Sequence, residues 1–207
     1  MDTKTPPVVC VVDLVDLSAQ VNGSDIYVCS NFYWVNYERY YISSEELVST
    51  GVIGPEIMVH PDIVDPLMVA NRNLFESNGL VLSVKEGFRP PALYHLVYRK
   101  KVERDGEKAA NAIYNITDMP HASGRVVDVV LFDPNLGQEV WMRDGTYGDQ
   151  AKFFGFHALA GEVPNEIYHG LQLLMAQTMQ GVGFRFGSRE EYFHWEYRPD
   201  DLPTILS

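Results

Sequence analysis

The sequence predicts an α+β fold in which residues 1–207 form one domain. Segments rich in β-branched residues, of strand length, alternate with segments that have helical periodicity. Apolar residues make up 46% of the chain, which is enough to bury a sizeable core. The sequence contains no internal repeat, low-complexity tract or linker, and 207 residues are within the range of a single core.

The first part of the chain contains two predicted strands followed by a helix. Val8–Val15 and Ile26–Cys29 have the β-branched, apolar composition of buried strands. A helix is predicted to begin at Asp65, which can cap it, with Pro66 at the first helical position. Gly79 can end this helix because glycine readily adopts a left-handed conformation.

The middle of the chain predicts a strand, a second helix and a hairpin. Leu80–Val84 is a short apolar run of strand length. The helix begins at Pro91 and carries Arg99–Lys101 near its end, where cations complement the helix dipole. The hairpin joins Arg125–Phe132 to Gln138–Met142 through a turn of sequence DPNLG.

The last part predicts the most periodic helix and two short strands. The helix covers about Asn165–Gln180 and is followed by a glycine. The segment GFRFGSREEYFHWEYRP contains two aromatic-rich runs around a Gly-Ser turn, which is more typical of strands than of a helix. We expect its aromatic side chains to lie mainly in the core.

Charge and cysteine content favour a cytoplasmic protein that binds neither nucleic acid nor membrane. The chain has 28 acidic and 16 basic residues and a net charge of −12, which would repel a polyanion. Its longest uncharged segment, Ile167–Phe184, is interrupted by polar residues, and the N-terminus lacks the apolar run of a secretory signal. Cys10 and Cys29 are expected to be reduced thiols, although one disulfide between them remains open.

A cluster of metal-binding residue types is the main functional signal. Asp128 lies among valines in a predicted strand, and a carboxylate there requires a cation, hydrogen bonds or a metal to compensate its burial. His121 precedes it by seven positions, and Glu191 precedes His194 by three. Two imidazoles and one carboxylate suit a catalytic zinc, which takes three protein ligands and leaves one position for water.

These residues resemble a known family. The segment from His121 through Gly124 to Asp128, followed by Glu191-Tyr-Phe-His194, resembles the zinc D-alanyl-D-alanine peptidases, most closely the D-alanyl-D-alanine dipeptidases linked to vancomycin resistance. The segment Glu86-Gly-Phe-Arg-Pro resembles the family's Gly-aromatic-Arg-Pro segment, and residues 145–149 resemble the stretch after its central hairpin. The four blocks are in the family's order over about residues 80–198.

The resemblance implies a metal site and a fold. One zinc ion would be bound by His121, Asp128 and His194, and Glu191 would be the general base. The fold would be Hedgehog- or DD-peptidase-like, with a small antiparallel sheet that carries the metal site between flanking helices. Since residues three apart on a strand point to opposite faces, Glu191 and His194 can reach one metal only if Glu191 lies on a bend before the strand.

The resemblance also implies how substrate is bound. Arg89 would polarise the scissile carbonyl and stabilise the oxyanion, and Asp149 would hold the ammonium group of a small dipeptide such as D-alanyl-D-alanine. Met119 stands two residues before the first histidine, where the family usually has serine. Glu196 is a further departure, and it is either an acceptor that orients His194 or a solvated side chain.

Three alternatives remain open at this point. One is a carboxypeptidase or other cell-wall peptidase of the same type with an altered substrate. Another is a non-catalytic, metal-containing homologue that binds peptides. The third is an iron oxygenase that uses the same three ligands; such enzymes commonly space the first histidine and the carboxylate two residues apart, whereas here the spacing is seven.

Overall fold

A computed structural model describes residues 13–114, 116–143, 153 and 165–203, and it has the predicted α+β class. The α-helices of the described residues are α1 (Leu17–Gln20), α2 (Phe32–Asn36), α3 (Ser44–Ser49), α4 (Val64–Asn78), α5 (Pro91–Asp105), α6 (Glu107–Ile113) and α7 (Glu166–Gln180). The strands are β1 (Val15–Asp16), β2 (Tyr27–Val28), β3 (Met58–Val59), β4 (Val81–Glu86), β5 (Val126–Asp133), β6 (Gln138–Glu139), β7 (Phe184–Phe186) and β8 (His194–Tyr197). Short 3-10 helices cover Tyr37–Tyr40, Pro61–Ile63 and Pro120–Ser123.

The main sheet has the strand order β2-β4-β5-β8-β7, and β6 also pairs with β5. Strands β2 and β4 are parallel, and the other pairs of this sheet are antiparallel. Strands β1 and β3 form a separate antiparallel pair. The central strand β5 is therefore hydrogen-bonded to strands from both the N-terminal and the C-terminal half of the chain.

The long helices follow their sequence signals, with one correction. Helix α4 ends at Gly79 in a left-handed conformation (φ 69°), as predicted, but it begins at Val64. Asp65 therefore lies inside the first turn and does not cap the helix. Helix α7 begins after Asn165, whose side chain accepts hydrogen bonds from two backbone N–H groups of the first turn.

Helix α5 begins at Pro91 as predicted, but it ends later than the position of Arg99–Lys101 indicated. It continues to Asp105, so Arg99–Lys101 do not occupy the last turn. Lys101 instead forms an ion pair with Asp105 one turn later, at 2.5 Å. An ion pair between side chains four residues apart adds a small stabilisation to the last turns of the helix.

One predicted strand is shorter than expected, and most of another lies outside the described residues. Of the predicted strand Val8–Val15, only the end falls within the described residues, where β1 pairs with β3 outside the main sheet. The predicted strand Gln138–Met142 pairs only over Gln138–Glu139. Its turn has the expected chemistry, because the Asp133 carboxylate accepts hydrogen bonds from the backbone N–H groups of the following turn residues.

The core lies between one face of the main sheet and helices α4 and α7. The side chains of Val127, Val129 and Leu131 on β5 are completely buried against residues of both helices. Trp195 on β8 is also completely buried there, in agreement with the predicted core role of the C-terminal aromatic residues. Because side chains alternate along a strand, Asp128 lies on the opposite face of β5.

A second apolar cluster forms between α2, α3 and α5. Its buried members include Tyr33, Leu47 and Leu93. Cys29, at the end of β2, carries a free thiol 3.4 Å from the Ser83 hydroxyl, and Cys10 lies outside the described residues. Within the described ranges, the helices are too short or too polar to cross a lipid bilayer.

Candidate metal centre

The register of three strands aligns three polar side chains. Asp128 on β5 is directly opposite Glu86 on β4 and directly opposite His194 on β8. Cross-strand partners project from the same face of a sheet, so these side chains are neighbours. A bulge between Val84 and Glu86 inserts Lys85, and without it Lys85 would be opposite Asp128. The bulge therefore brings a carboxylate, rather than a cation, to this position.

His121, Asp128 and His194 form a group that can hold a metal ion, since one ligand atom from each lies within 4.8 Å of the other two. The Asp128 Oδ1 atom is 3.0 Å from His194 Nδ1 and 3.4 Å from His121 Nε2. Tetrahedral ligands of zinc at their usual bond lengths are separated by roughly 3.4 Å. The donor types and the two separations measured from Asp128 therefore fit a tetrahedral zinc site.

The ring of His121 is held with one nitrogen directed at this group. Its Nδ1 atom is 2.8 Å from the carbonyl oxygen of Gly87, which can only accept, so Nδ1 carries the proton. Nε2 then has a free lone pair, the arrangement usual for a metal-bound histidine. Gly87 has no room for a side chain, since a Cβ atom there would be 2.5 Å from the Met58 carbonyl oxygen.

The segment that carries His121 is a short 3-10 helix between two left-handed residues. Met119 precedes the helix at φ 44° and Gly124 follows it at φ 69°. A Cβ atom on Gly124 would be 2.7 Å from the side chain of Leu14. A left-handed conformation is unfavourable for methionine, so local backbone strain lies two residues from a candidate ligand.

His194 is held by carboxylates on both sides. Its Nδ1 atom faces Asp128, and its Nε2 atom is 3.6 Å from Glu196 Oε1. Burial by itself would lower the pKa of His194, but Asp128 and Glu196 raise that pKa to about 9. Glu196 thus lies within ion-pair distance of His194, and its other carboxylate oxygen faces Arg198 Nε at 3.7 Å.

The two histidines in turn control the charge of Asp128. Burial alone would raise the pKa of this carboxyl, but His121 and His194 hold it well below its ordinary value. Asp128 is thus an anion that can bind a cation without first losing a proton. Its side chain is 19% exposed, which leaves the group accessible from one side.

Glu191 lies on a bend just before β8. Glu190 has a left-handed conformation (φ 59°), and the Glu191 carbonyl accepts a hydrogen bond from the His194 N–H at 3.2 Å. The bend that the spacing of these two residues requires is therefore present. Burial raises the pKa of the half-buried Glu191 carboxyl, while the charge of His194 opposes this shift. No described residue donates a hydrogen bond to this carboxylate.

Arg89 forms a buried ion pair beside the group. Its Nε and Nη2 atoms each donate to a Glu86 carboxylate oxygen at 2.7 Å. The guanidinium lies over the rings of Tyr33 and Tyr94, with Cζ 5.0 and 4.5 Å from the ring centroids. Although burial opposes the charged form, Glu86 raises the pKa of Arg89 well above its ordinary value. The Nη1 group has no hydrogen-bond acceptor among the residues described.

The structure brings three of the six residues singled out in the sequence, His121, Asp128 and His194, within ligand distance of one another. Glu191 lies on the bend that precedes His194, and the backbone N–H of Arg89 donates to the His121 carbonyl at 3.2 Å. The sixth, Asp149, lies outside the described residues.

Several supporting residues were not predicted. Glu86 and Gly87 belong to the sequence block that identified Arg89, but the pairing of Glu86 with Arg89 was not predicted. Tyr94 had no signal in the sequence, because its role depends on a contact with a distant segment.

No family model and no curated protein matches the chain. Among solved structures, it is similar to the LdcB LD-carboxypeptidase, whose structure is described as revealing the molecular basis of peptidoglycan recognition. The TM-score is 0.44 and the sequence identity 14%, over 69% of this chain and 61% of that one. The match thus spans about three fifths of the neighbour's length, and the function below is argued from the residues of the site.

Proposed function

We propose that this chain is a zinc metallopeptidase that hydrolyses D-alanyl-D-alanine or a similar small D-amino-acid dipeptide. The observation that carries the proposal is the convergence of His121, Asp128 and His194, with Glu191 on the adjacent bend. Glu191 is half-buried, and no described residue donates a hydrogen bond to its carboxylate. A set of ion pairs that served only to stabilise the fold would not need a glutamate in this position beside two histidines. The sequence resemblance supplies the class of substrate.

The three ligands leave one tetrahedral position for water or substrate. A bound zinc ion would lower the pKa of a coordinated water to about 7 and polarise the scissile carbonyl. Glu191 accepts a proton from the attacking water and then donates it to the leaving amine. Burial raises the pKa of this carboxyl, which makes it a stronger base than an exposed glutamate.

Arg89 is placed to stabilise negative charge on the substrate. Two of its N–H groups are committed to Glu86, which fixes the plane of the guanidinium. We assign its Nη1 group to the carbonyl oxygen of the scissile peptide, where charge develops in the transition state. A preorganised donor of this kind contributes about 3 kcal/mol. Asp149 remains the proposed partner of the substrate's ammonium group.

Met119 favours a second candidate, which is a related peptidase with a different substrate. A serine hydroxyl at this position would be close to the bound dipeptide in the family that the sequence resembles. The thioether of Met119 cannot donate a hydrogen bond, and this half-buried residue precedes His121 by two positions. A cell-wall peptide with a C-terminal D-amino acid is the corresponding substrate.

The test compares Glu191→Gln with Glu190→Gln in zinc-loaded protein. Both changes neutralise one carboxylate on the same bend, but only Glu191 is the proposed general base. We expect Glu191→Gln to retain zinc and to lower kcat for D-alanyl-D-alanine by about 100-fold or more. Glu190→Gln should keep the activity of the unaltered protein.

Each other outcome removes one part of the proposal. Equal activity in the two variants would remove Glu191 as the base. Hydrolysis of a peptidoglycan-type peptide but not of the dipeptide would favour the second candidate. Zinc binding without hydrolysis of either would favour the non-catalytic homologue, and oxygen-dependent turnover with iron would favour the oxygenase.

A further inference from the structure

We propose that Tyr94 is a positioning residue that holds the candidate ligand His121 and the guanidinium of Arg89 in fixed relation to each other. This inference rests on the proposed function, because it concerns the same metal centre. Tyr94 lies in the first turns of α5 and is 1% exposed. A side chain so deeply buried has no direct access to a substrate.

The hydroxyl group of Tyr94 holds the backbone of His121. It accepts a hydrogen bond from the His121 backbone N–H at 2.9 Å, across 27 positions of the chain. The backbone carbonyl of His121 accepts a hydrogen bond from the Arg89 backbone N–H at 3.2 Å. Both polar groups of the His121 main chain are therefore held by the segment from Arg89 to Tyr94, and the ring is held by Gly87.

The ring of Tyr94 holds the side chain of Arg89. The guanidinium lies 4.5 Å from the ring centroid, and Tyr33 lies on it at 5.0 Å. Together with the Glu86 carboxylate, these contacts leave Nη1 as the group that can reach a ligand. One tyrosine thus contributes two separable functions, with the hydroxyl acting on a candidate ligand and the ring acting on the candidate oxyanion contact.

Two substitutions separate these functions. Tyr94→Phe keeps the ring but removes the acceptor of the His121 backbone N–H. Because His121 is 2% exposed, water cannot readily replace this acceptor. Tyr94→Leu removes the hydroxyl and the ring. Changes in the groups that orient metal ligands typically weaken metal binding by 10- to 100-fold. We therefore expect about a tenfold loss of zinc affinity in both variants, with a larger loss of kcat in Tyr94→Leu.

A matched control is present one turn later on the same helix. The hydroxyl of Tyr98 forms a hydrogen bond with the Asn111 carboxamide oxygen at 2.9 Å, away from the metal centre. Tyr98→Phe therefore deletes a hydroxyl of α5 without changing the backbone of His121. We expect its zinc affinity and kcat to equal those of the unaltered protein.

The experiment measures zinc affinity by competition with a chromophoric chelator, together with the melting temperature of the metal-free proteins and kcat and KM for the dipeptide. A merely structural role for Tyr94 would lower the melting temperature while leaving zinc affinity unchanged, and that result would overturn the inference. An equal loss of affinity in Tyr94→Phe and Tyr98→Phe would also overturn it. If the protein binds zinc but cleaves no dipeptide, the affinity measurement still tests Tyr94 while the proposed activity fails.

Discussion

Replacing Gly187 with alanine would test how tightly the candidate metal centre is packed. Gly187 does not have a positive φ, so alanine is compatible with its backbone conformation. A Cβ atom there, however, would be 2.4 Å from Cδ2 and 2.8 Å from Nε2 of His194, and 2.9 Å from Glu196 Oε1. Ordinary contacts begin at 3.4 Å, so the imidazole or the chain must move by about 1 Å.

A displacement of this size should be visible in both metal binding and stability. Overpacking of this kind costs about 1–3 kcal/mol of unfolding free energy. Because His194 would also lose its alignment with Glu196, we expect a 10- to 100-fold loss of zinc affinity. Chelator competition measures the affinity, and urea unfolding of the metal-free protein measures the free energy.

Gly170 provides the matched control. It lies inside α7, and a Cβ atom there would have no neighbour within 4 Å. Gly170→Ala should therefore stabilise the protein by about 0.5–1 kcal/mol, because glycine is unfavourable in a helix, and should leave zinc affinity unchanged. Equal zinc affinity in Gly187→Ala and Gly170→Ala would refute the close packing of Gly187 against His194.

Two further predictions concern the charges of the site. In the metal-free protein the pKa of His194 is raised to about 9, so the folded state binds this proton more tightly than the unfolded state does. The protonated His194 therefore contributes roughly 3 kcal/mol to the unfolding free energy below about pH 6.5, and this contribution is lost as the pH rises through 9. Urea unfolding at a series of pH values should show the decrease, and the variant His194→Gln should not. Glu86→Leu should lower the unfolding free energy by about 3–5 kcal/mol because it leaves the Arg89 charge buried and unpaired, whereas Glu86→Leu combined with Arg89→Met should recover most of this loss. If urea unfolding showed the double variant to be as unstable as Glu86→Leu alone, the prediction for the Glu86–Arg89 pair would be contradicted.

The sequence predicted the parts of this fold that local patterns determine. Helices α4 and α7 have the periodicity and end signals of their class, and the strand that contains Asp128 is rich in valine. Short elements were not predicted: α2, α3 and α6 have at most seven residues, too few to establish a helical period. They form because their apolar residues pack against α5.

The candidate site was predictable as a set of residues but not as a geometry. His121, Asp128, Glu191 and His194 are separated along the chain by up to 73 positions, and the resemblance to a family grouped them. The bulge at Lys85 had no signal, because a bulge depends on how two distant strands pair. The resemblance identified Arg89 in the segment Glu86-Gly-Phe-Arg-Pro, but the position of the Glu86 carboxylate opposite Asp128 depends on how β4 pairs with β5.

Metal binding at the candidate centre would depend on the register in which β5 pairs with β8. Asp128 and His194 are 66 positions apart and meet only when the two strands align as observed. A slip by a single residue would turn the imidazole to the apolar side of the sheet and dismantle the group of ligands. Zinc would therefore favour molecules whose C-terminal strand has docked in its native alignment over those in which it has not.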